Sequence, residues 1–246
     1  MYRSGEFRLG SVHPHQQVGH SVRNLRPLLK SILPGPVRVF EGATGLAVNM
    51  RPQLGAQVNA ELSNPQPIVI ETERLILRRL TMADLDALAA LYRDPEVRRY
   101  FPDGTQTYEQ TREELEWIID VYYGQYGYGL WATIFKETGA FVGRCGLLPW
   151  EIGGRTEVEV AFLLDKSYWG RGLATEAARA IVEYAFATLP IERLICMFEP
   201  ENSASRSVAA KVGMTMLWDD YVDKYGLSHV YAIQRPVSHA GSAERP

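Results

Sequence analysis

The segment Asp165-Lys166-Ser167-Tyr168-Trp169-Gly170-Arg171-Gly172-Leu173-Ala174-Thr175-Glu176-Ala177 decides how this chain is read. It leads from an apolar, strand-like run, Thr156 to Leu164, into a helical one from about Thr175 to Ala187, with Leu173, Ala177, Ile181 and Tyr184 as the inward stripe. Gly170 and Gly172 remove side chains where a ligand must approach the backbone, and the first-turn N–H groups of the helix have no internal partners. The positive end of the helix dipole and Arg171 both favour a pyrophosphate at such a turn. A Gly-x-Gly before a helix also describes a plain loop-to-helix turn, so its neighbours must decide between the two readings.

Upstream, Glu73 to Leu80 is strand-like, and Thr81 followed by Asp84 has the form of a capping box opening a helix with Leu85, Leu88, Leu91 and Tyr92 inward. Thr107 with Gln110 caps a second helix, whose apolar positions Leu115, Ile118, Ile119 and Tyr122 recur at helical spacing. A meander of three strands follows, Leu130 to Phe135, Phe141 to Leu147 and Thr156 to Leu164, with connections Lys136 to Ala140 and Leu148 to Arg155. Downstream come a strand Arg193 to Phe198, a helix Ser203 to Lys211 and two closing strands near Met214 to Tyr221 and Val230 to Arg235. The expected class is α+β, an α/β/α sandwich of about seven mixed, mostly antiparallel strands flanked by about four helices.

Of the 246 residues, 46% are apolar and 22% charged, enough for a sizeable core. The net charge of −3 gives no basic field for nucleic acid or an anionic membrane. It averages two unlike parts. Residues 1–66 carry 7 Lys/Arg, 3 Asp/Glu and three aromatics, punctuated by Gly and Pro without a sustained period, and read as a flexible extension. The acidic, aromatic-rich part from residue 67 reads as one domain to 237, followed by a tail over 238–246. His13, His15 and His20 read as solvated rather than metal-ligating, and no metal site is expected. Cys145 and Cys196 lack metal or redox spacing and read as reduced and buried. With no apolar run long enough to span a bilayer and no secretory h-region, a cytoplasmic monomer or homodimer is expected.

Taken in order, Glu159-Val160-Ala161-Phe162-Leu163-Leu164, Tyr168 to Ala177, and Asn202-Ser203-Ala204-Ser205 ending at Lys211-Val212-Gly213-Met214 resemble the GNAT superfamily of acetyl-CoA-dependent N-acetyltransferases. The Trp-Gly-Arg-Gly-x-Ala-Thr-Glu-Ala form and the opening Thr72-Glu73-Arg74-Leu75 resemble its RimJ/RimL-like branch. The resemblance spans about Ile70 to Arg235 and implies the GNAT fold, acetyl-CoA as co-substrate and an amine acceptor, either a protein N-terminus or a small amine. It implies that Trp169, Gly170, Arg171, Gly172, Leu173, Ala174 and Thr175 hold the pyrophosphate, and that Ala161, Phe162, Leu163 and Leu164 offer backbone to the pantetheine arm.

Period-two geometry puts Glu157 and Glu159 on one strand face, beside the acyl site that the resemblance implies. An amine must lose a proton to attack a thioester, and Glu159 is the candidate base, with Glu157 near the acceptor. Two solvated acids on an exposed face are the plainer alternative. The resemblance also implies that Asn202 contacts the pantetheine and Ser205 reaches the sulfur. Many superfamily members place a Tyr where this chain has Ala209; the resemblance to the RimJ/RimL-like branch implies that Ser205 gives the thiolate a hydrogen bond there. Asn202 or Ser203 equally suits a helix N-cap. Tyr100, Phe101, Tyr128 and Trp131 are the candidate acceptor walls, with core packing as their alternative. A non-catalytic CoA-binding module of the same fold is the rival reading.

Overall fold

In the computed structural model, residues 67–152, 154–223 and 226–236 are described. The expected extension over 1–66 and tail over 238–246 lie outside them. The chain runs β1 (Ile68–Glu71), β2 (Leu75–Arg79), α1 (Leu85–Arg93), α2 (Tyr108–Trp117), β3 (Leu130–Phe135), β4 (Ala140–Ile152), β5 (Arg155–Leu164), α3 (Leu173–Thr188), β6 (Arg193–Phe198), α4 (Ser203–Lys211), β7 (Thr215–Asp223) and β8 (Gly226–Gln234). The strands form one mixed sheet in the order β1-β2-β3-β4-β5-β6-β8-β7, in which only β5 and β6 are parallel.

Both capped helices form where the sequence places them. Thr81 N–H donates to the Asp84 carboxylate (2.9 Å), and Leu85, Leu88, Leu91 and Tyr92 of α1 are buried. Thr107 N–H donates to Gln110 Oε1 (2.8 Å), while Gln110 N–H donates back to Thr107 Oγ1. Beyond Trp117 the helix continues as wider π-helical turns, Ile118–Tyr126, ended by Gly127 in the left-handed region (φ 75°). Those turns bring Tyr123 inward, where its hydroxyl accepts from Leu80 N–H (2.9 Å) and donates to Leu130 O.

Two strand expectations need correction. The sequence does not show β1: the strand expected over Glu73 to Leu80 forms as β2, and a tight turn at Thr72, whose N–H donates to Leu75 O (2.9 Å), folds β1 back on it as an eighth strand. The run from Leu148 to Arg155 is not a long connection either, because β4 continues to Ile152 and pairs with β5 throughout. Pro149 is tolerated there because β4's pairing with β3 ends at Gly146, leaving no ladder bond for its missing N–H to make on that side.

The two faces of the sheet are covered differently. Tyr92 of α1 bonds Arg144 on the face that carries Glu157 and Glu159, and Tyr184 of α3 packs edge-on against Trp131 (5.4 Å between centroids) on the opposite face. Cys145 and Cys196 are buried and unpaired. No helix among the described residues is long and apolar enough to cross a membrane.

The β3–β4 register rests on a close approach at Gly146, where a Cβ would meet Gly129 O at 2.1 Å and Leu130 Cα at 2.8 Å. Because both neighbours are backbone, Gly146→Ala is expected to lower unfolding stability by about 3 kcal/mol, measured by urea titration.

Candidate active site

β5 and β6 pair in parallel at one register point, Glu159↔Ile195. Beyond it β5 still pairs with β4, up to Leu164↔Gly143, so Ala161 to Leu164 present an unladdered edge toward the opening cleft. The Met197 N–H, which a continuing ladder would have used, instead donates to Glu159 Oε1 (3.2 Å). Trp150 Nε1–H donates to Glu159 Oε2 (2.7 Å). The carboxylate is thus buried but held by two neutral donors. Burial pushes its pKa up to about 7, against the opposing pull of the Trp150 and Met197 hydrogen bonds and the Arg144 charge.

Glu157 shares that face and has a different environment. Its carboxylate is gripped by the Arg193 guanidinium, which lies over the Trp218 ring (5.9 Å). Both acids are buried, Glu157 5% and Glu159 8% exposed, so they are not two solvated acids on an exposed face. A groove of about 490 Å³ adjoins Glu157, with Arg155, Arg193, Trp218, Asp220 and Tyr221 on its walls.

The glycine turn lies at the end of β5. Asp165 caps a short 3₁₀ turn through Ser167 N–H (2.8 Å), and Trp169 Nε1–H donates to Leu164 O (2.8 Å). Gly170 and Gly172 both adopt left-handed φ, 73° and 78°, and Gly172 is the N-cap of α3. The first helical hydrogen bond runs from Glu176 N–H to Gly172 O, so the N–H groups of Leu173, Ala174 and Thr175 precede it. Leu173 buries its side chain and Ala174 and Thr175 are half-buried, whereas Trp169, Gly170, Arg171 and Gly172 are exposed. This donor set, with no side chain at the two glycines, fits a diphosphate. A cavity of about 540 Å³ opens beside the turn, with Arg74, Gly172, Thr175, Arg179 and Lys211 among its walls.

What secures the turn was absent from the sequence reading. Glu176, in the first turn of α3, accepts from Thr72 Oγ1 (2.6 Å), Arg74 N–H (2.8 Å) and Arg74 Nε (2.6 Å), and Arg74 Nη1 donates to Arg171 O (2.9 Å). Although burial opposes them, these donors hold the Glu176 carboxyl below its ordinary pKa. Thr72 and Arg74 were visible only as a resemblance; their structural task depends on a pairing about a hundred residues away.

The remaining expected residues divide. Asn202 is the N-cap of α4, its Oδ1 accepting from Ser205 N–H (3.0 Å), and Ser205 is half-buried. The Tyr100 hydroxyl donates to Glu201 O (3.2 Å), tying the α1–α2 loop to the lead-in of α4. Phe101 lies under the Arg98 guanidinium (4.3 Å) and near that of Arg144 (5.8 Å). Tyr128 is buried against Tyr126. Trp131 does not join them: strand alternation puts it on the face opposite Glu159, packed under α3 in the core. The Trp150 contact was within reach, because the hairpin register Trp150↔Glu157 follows once β4 is extended.

The model of the GNAT acetyltransferase domain matches residues 74–215 of this chain. The chain is 37% identical to the uncharacterized protein YkkB of Bacillus subtilis over 144 residues, which cover 58% of this chain and 83% of that one. A GNAT-family acetyltransferase of Bacillus anthracis has a similar structure (TM-score 0.57, 26% identity, covering 68% of this chain and 98% of the other). RimL, an α-N-acetyltransferase of ribosomal protein L7/L12 solved with coenzyme A, shares the fold (TM-score 0.58, 18% identity, 68% and 98%). The chain belongs to the GNAT family and is an acetyl-CoA-dependent acyltransferase.

Proposed function

We propose that the protein acetylates a primary amine, a protein N-terminal α-amino group or a small-molecule amine, by direct attack within a ternary complex. The observation that carries this reading is Glu159: a buried carboxyl with a pKa of about 7, beside an open strand edge and on the face reached from the α1–α2 loop. The turn from Gly170 to Thr175 holds the donor's diphosphate, and the backbone of Ala161 to Leu164 takes its pantetheine arm. Acetyl-CoA supplies an activated acyl group.

Glu159 in its ionised form accepts one proton from the amine, whose nitrogen then forms a bond to the acetyl carbon as the carbon–sulfur bond breaks. The amides near Ala161 and Phe162 polarise the acetyl carbonyl. Ser205, at the start of α4, donates a hydrogen bond to the departing thiolate. The Asn202 side chain orients that turn through its bond to Ser205 N–H.

Thiol release from acetyl-CoA with an amine panel tests the reading. Turnover should rise as pH passes through about 7, where Glu159 loses its proton. In Glu159→Gln that rise should vanish and kcat fall by about 10²- to 10⁴-fold. Ser205→Ala should lower kcat by about a hundredfold. Full turnover in both variants would overturn the assigned roles.

The same titration must appear in stability. Because the folded state holds the Glu159 proton more tightly than the unfolded chain, its favourable contribution is complete below the ordinary carboxyl pKa and is lost as pH rises through about 7. The melting temperature of the wild type should therefore fall relative to that of Glu159→Gln between pH 5 and pH 9.

Arg74 touches the turn's backbone and its helix, not the reacting atoms. Arg74→Met should raise KM for acetyl-CoA about tenfold with kcat nearly unchanged, read from initial rates at saturating amine.

A further inference from the structure

Arg144 projects from β4 on the same face as Glu159, four residue pairs further along the β4–β5 ladder, where it pairs with Leu163. It is 5% exposed, and its guanidinium makes one hydrogen bond, from Nε to the Tyr92 hydroxyl (2.6 Å). The other four N–H donors have no partner among the described residues. The Tyr92 and Phe101 rings, 5.6 and 5.8 Å from the guanidinium carbon, offer π faces rather than lone pairs. No carboxylate pairs with it. Glu114, whose charge favours the Arg144 cation without bonding it, is occupied by the Tyr92 hydroxyl (2.9 Å) and Gln106 Nε2 (2.7 Å).

A buried guanidinium with four idle donors is a costly arrangement, and in a folded core such donors are ordinarily satisfied. These are not sealed in. The buried side-chain atoms lacking a partner among the described residues are Thr133 Oγ1 and His229 Nδ1, and neither terminal nitrogen of Arg144 is among them. Its residual exposure therefore lies at the open edge of the guanidinium fork. The guanidinium lies on the Glu159 face of the sheet, 5.8 Å from the Phe101 ring, and is close enough for its charge to act on Glu159.

We propose that Arg144 binds a carboxylate carried by the acceptor, so that the amine acetylated here is that of an amino acid, with its nitrogen at Glu159 and its carboxylate on the Arg144 fork. The proposal rests on the acetyl-transfer reading and narrows its acceptor. The planar fork matches a carboxylate bidentately, and the anion would neutralise the buried cation. The carbonyl of a peptide N-terminus offers one neutral oxygen and would leave most of the fork unpaired.

Thiol release from acetyl-CoA should be compared within matched pairs: L-phenylalanine and phenethylamine, L-leucine and isopentylamine, L-lysine and cadaverine, with a C-terminally amidated hexapeptide alongside. At least one amino acid should exceed its carboxylate-free partner in kcat/KM by about tenfold or more. Arg144→Lys, which keeps the buried charge but loses the fork, and Arg144→Met should raise KM for that amino acid about 10- to 100-fold and bring the ratio within the pair toward one. Equal kcat/KM within every pair, a peptide that outperforms every amino acid, or variants that slow both members alike would overturn the carboxylate assignment while leaving acetyl transfer intact. The last outcome would place Arg144 in support of the acetyl carbonyl or the fold. No thiol release with any acceptor would overturn acetyl transfer itself.

Discussion

Everything distinctive about this sheet follows from a parallel pair that meets once. β5 and β6 lie side by side at Glu159 and Ile195 and nowhere further along. Two polar edges are thereby stripped of their ladder partners, and backbone groups so exposed must be satisfied in another way. On β6 the answer is internal, since the Met197 N–H takes the Glu159 carboxylate. On β5 the edge from Ala161 to Leu164 is left without a partner strand, with its Leu164 carbonyl taken by the Trp169 indole. One separation of strands thus creates the cleft and supplies a hydrogen bond that fixes the acid at its apex.

Glu157 and Glu159 show how environment sets chemistry for identical side chains one pleat apart. Glu157 faces a guanidinium and is neutralised within the protein. Glu159 has only an indole and an amide as direct donors, and its ionised form is disfavoured by burial. A proton acceptor working near neutral pH needs the second arrangement. The first gives the adjoining groove a rigid wall.

The order of elements was legible because each carries local signals. Gly170 and Gly172 marked the turn, the capping pairs at Thr81 and Thr107 marked the helix starts, and β3, β6 and α4 lie on the residues that periodicity picked out. What went unread, β1 ahead of the Thr72 turn and the continuation of β4 through Pro149, lies where a turn or breaker residue means different things in different sheets. For the site, alternation along β5 was enough to put both acids on one face. It could not say that Trp131 belongs to the other face, because that depends on register across three strands. Arg193, Arg144 and the Arg74–Glu176 contact were invisible for the same reason, whereas Trp150 was missed only because β4 was ended too early. Side chains that meet across a sheet, or from opposite ends of a chain, leave no mark in a window of sequence.

The contact between Arg74 and Glu176 closes a loop of 102 residues. Closing so long a loop is entropically unfavourable until intervening strands have already brought its ends together. The glycine turn therefore has its full set of hydrogen bonds only when the Thr72–Arg74 turn and α3 are both in place. A ligand that requires that turn can bind only the completed domain, so its binding free energy adds to the global stability of the fold rather than to one loop.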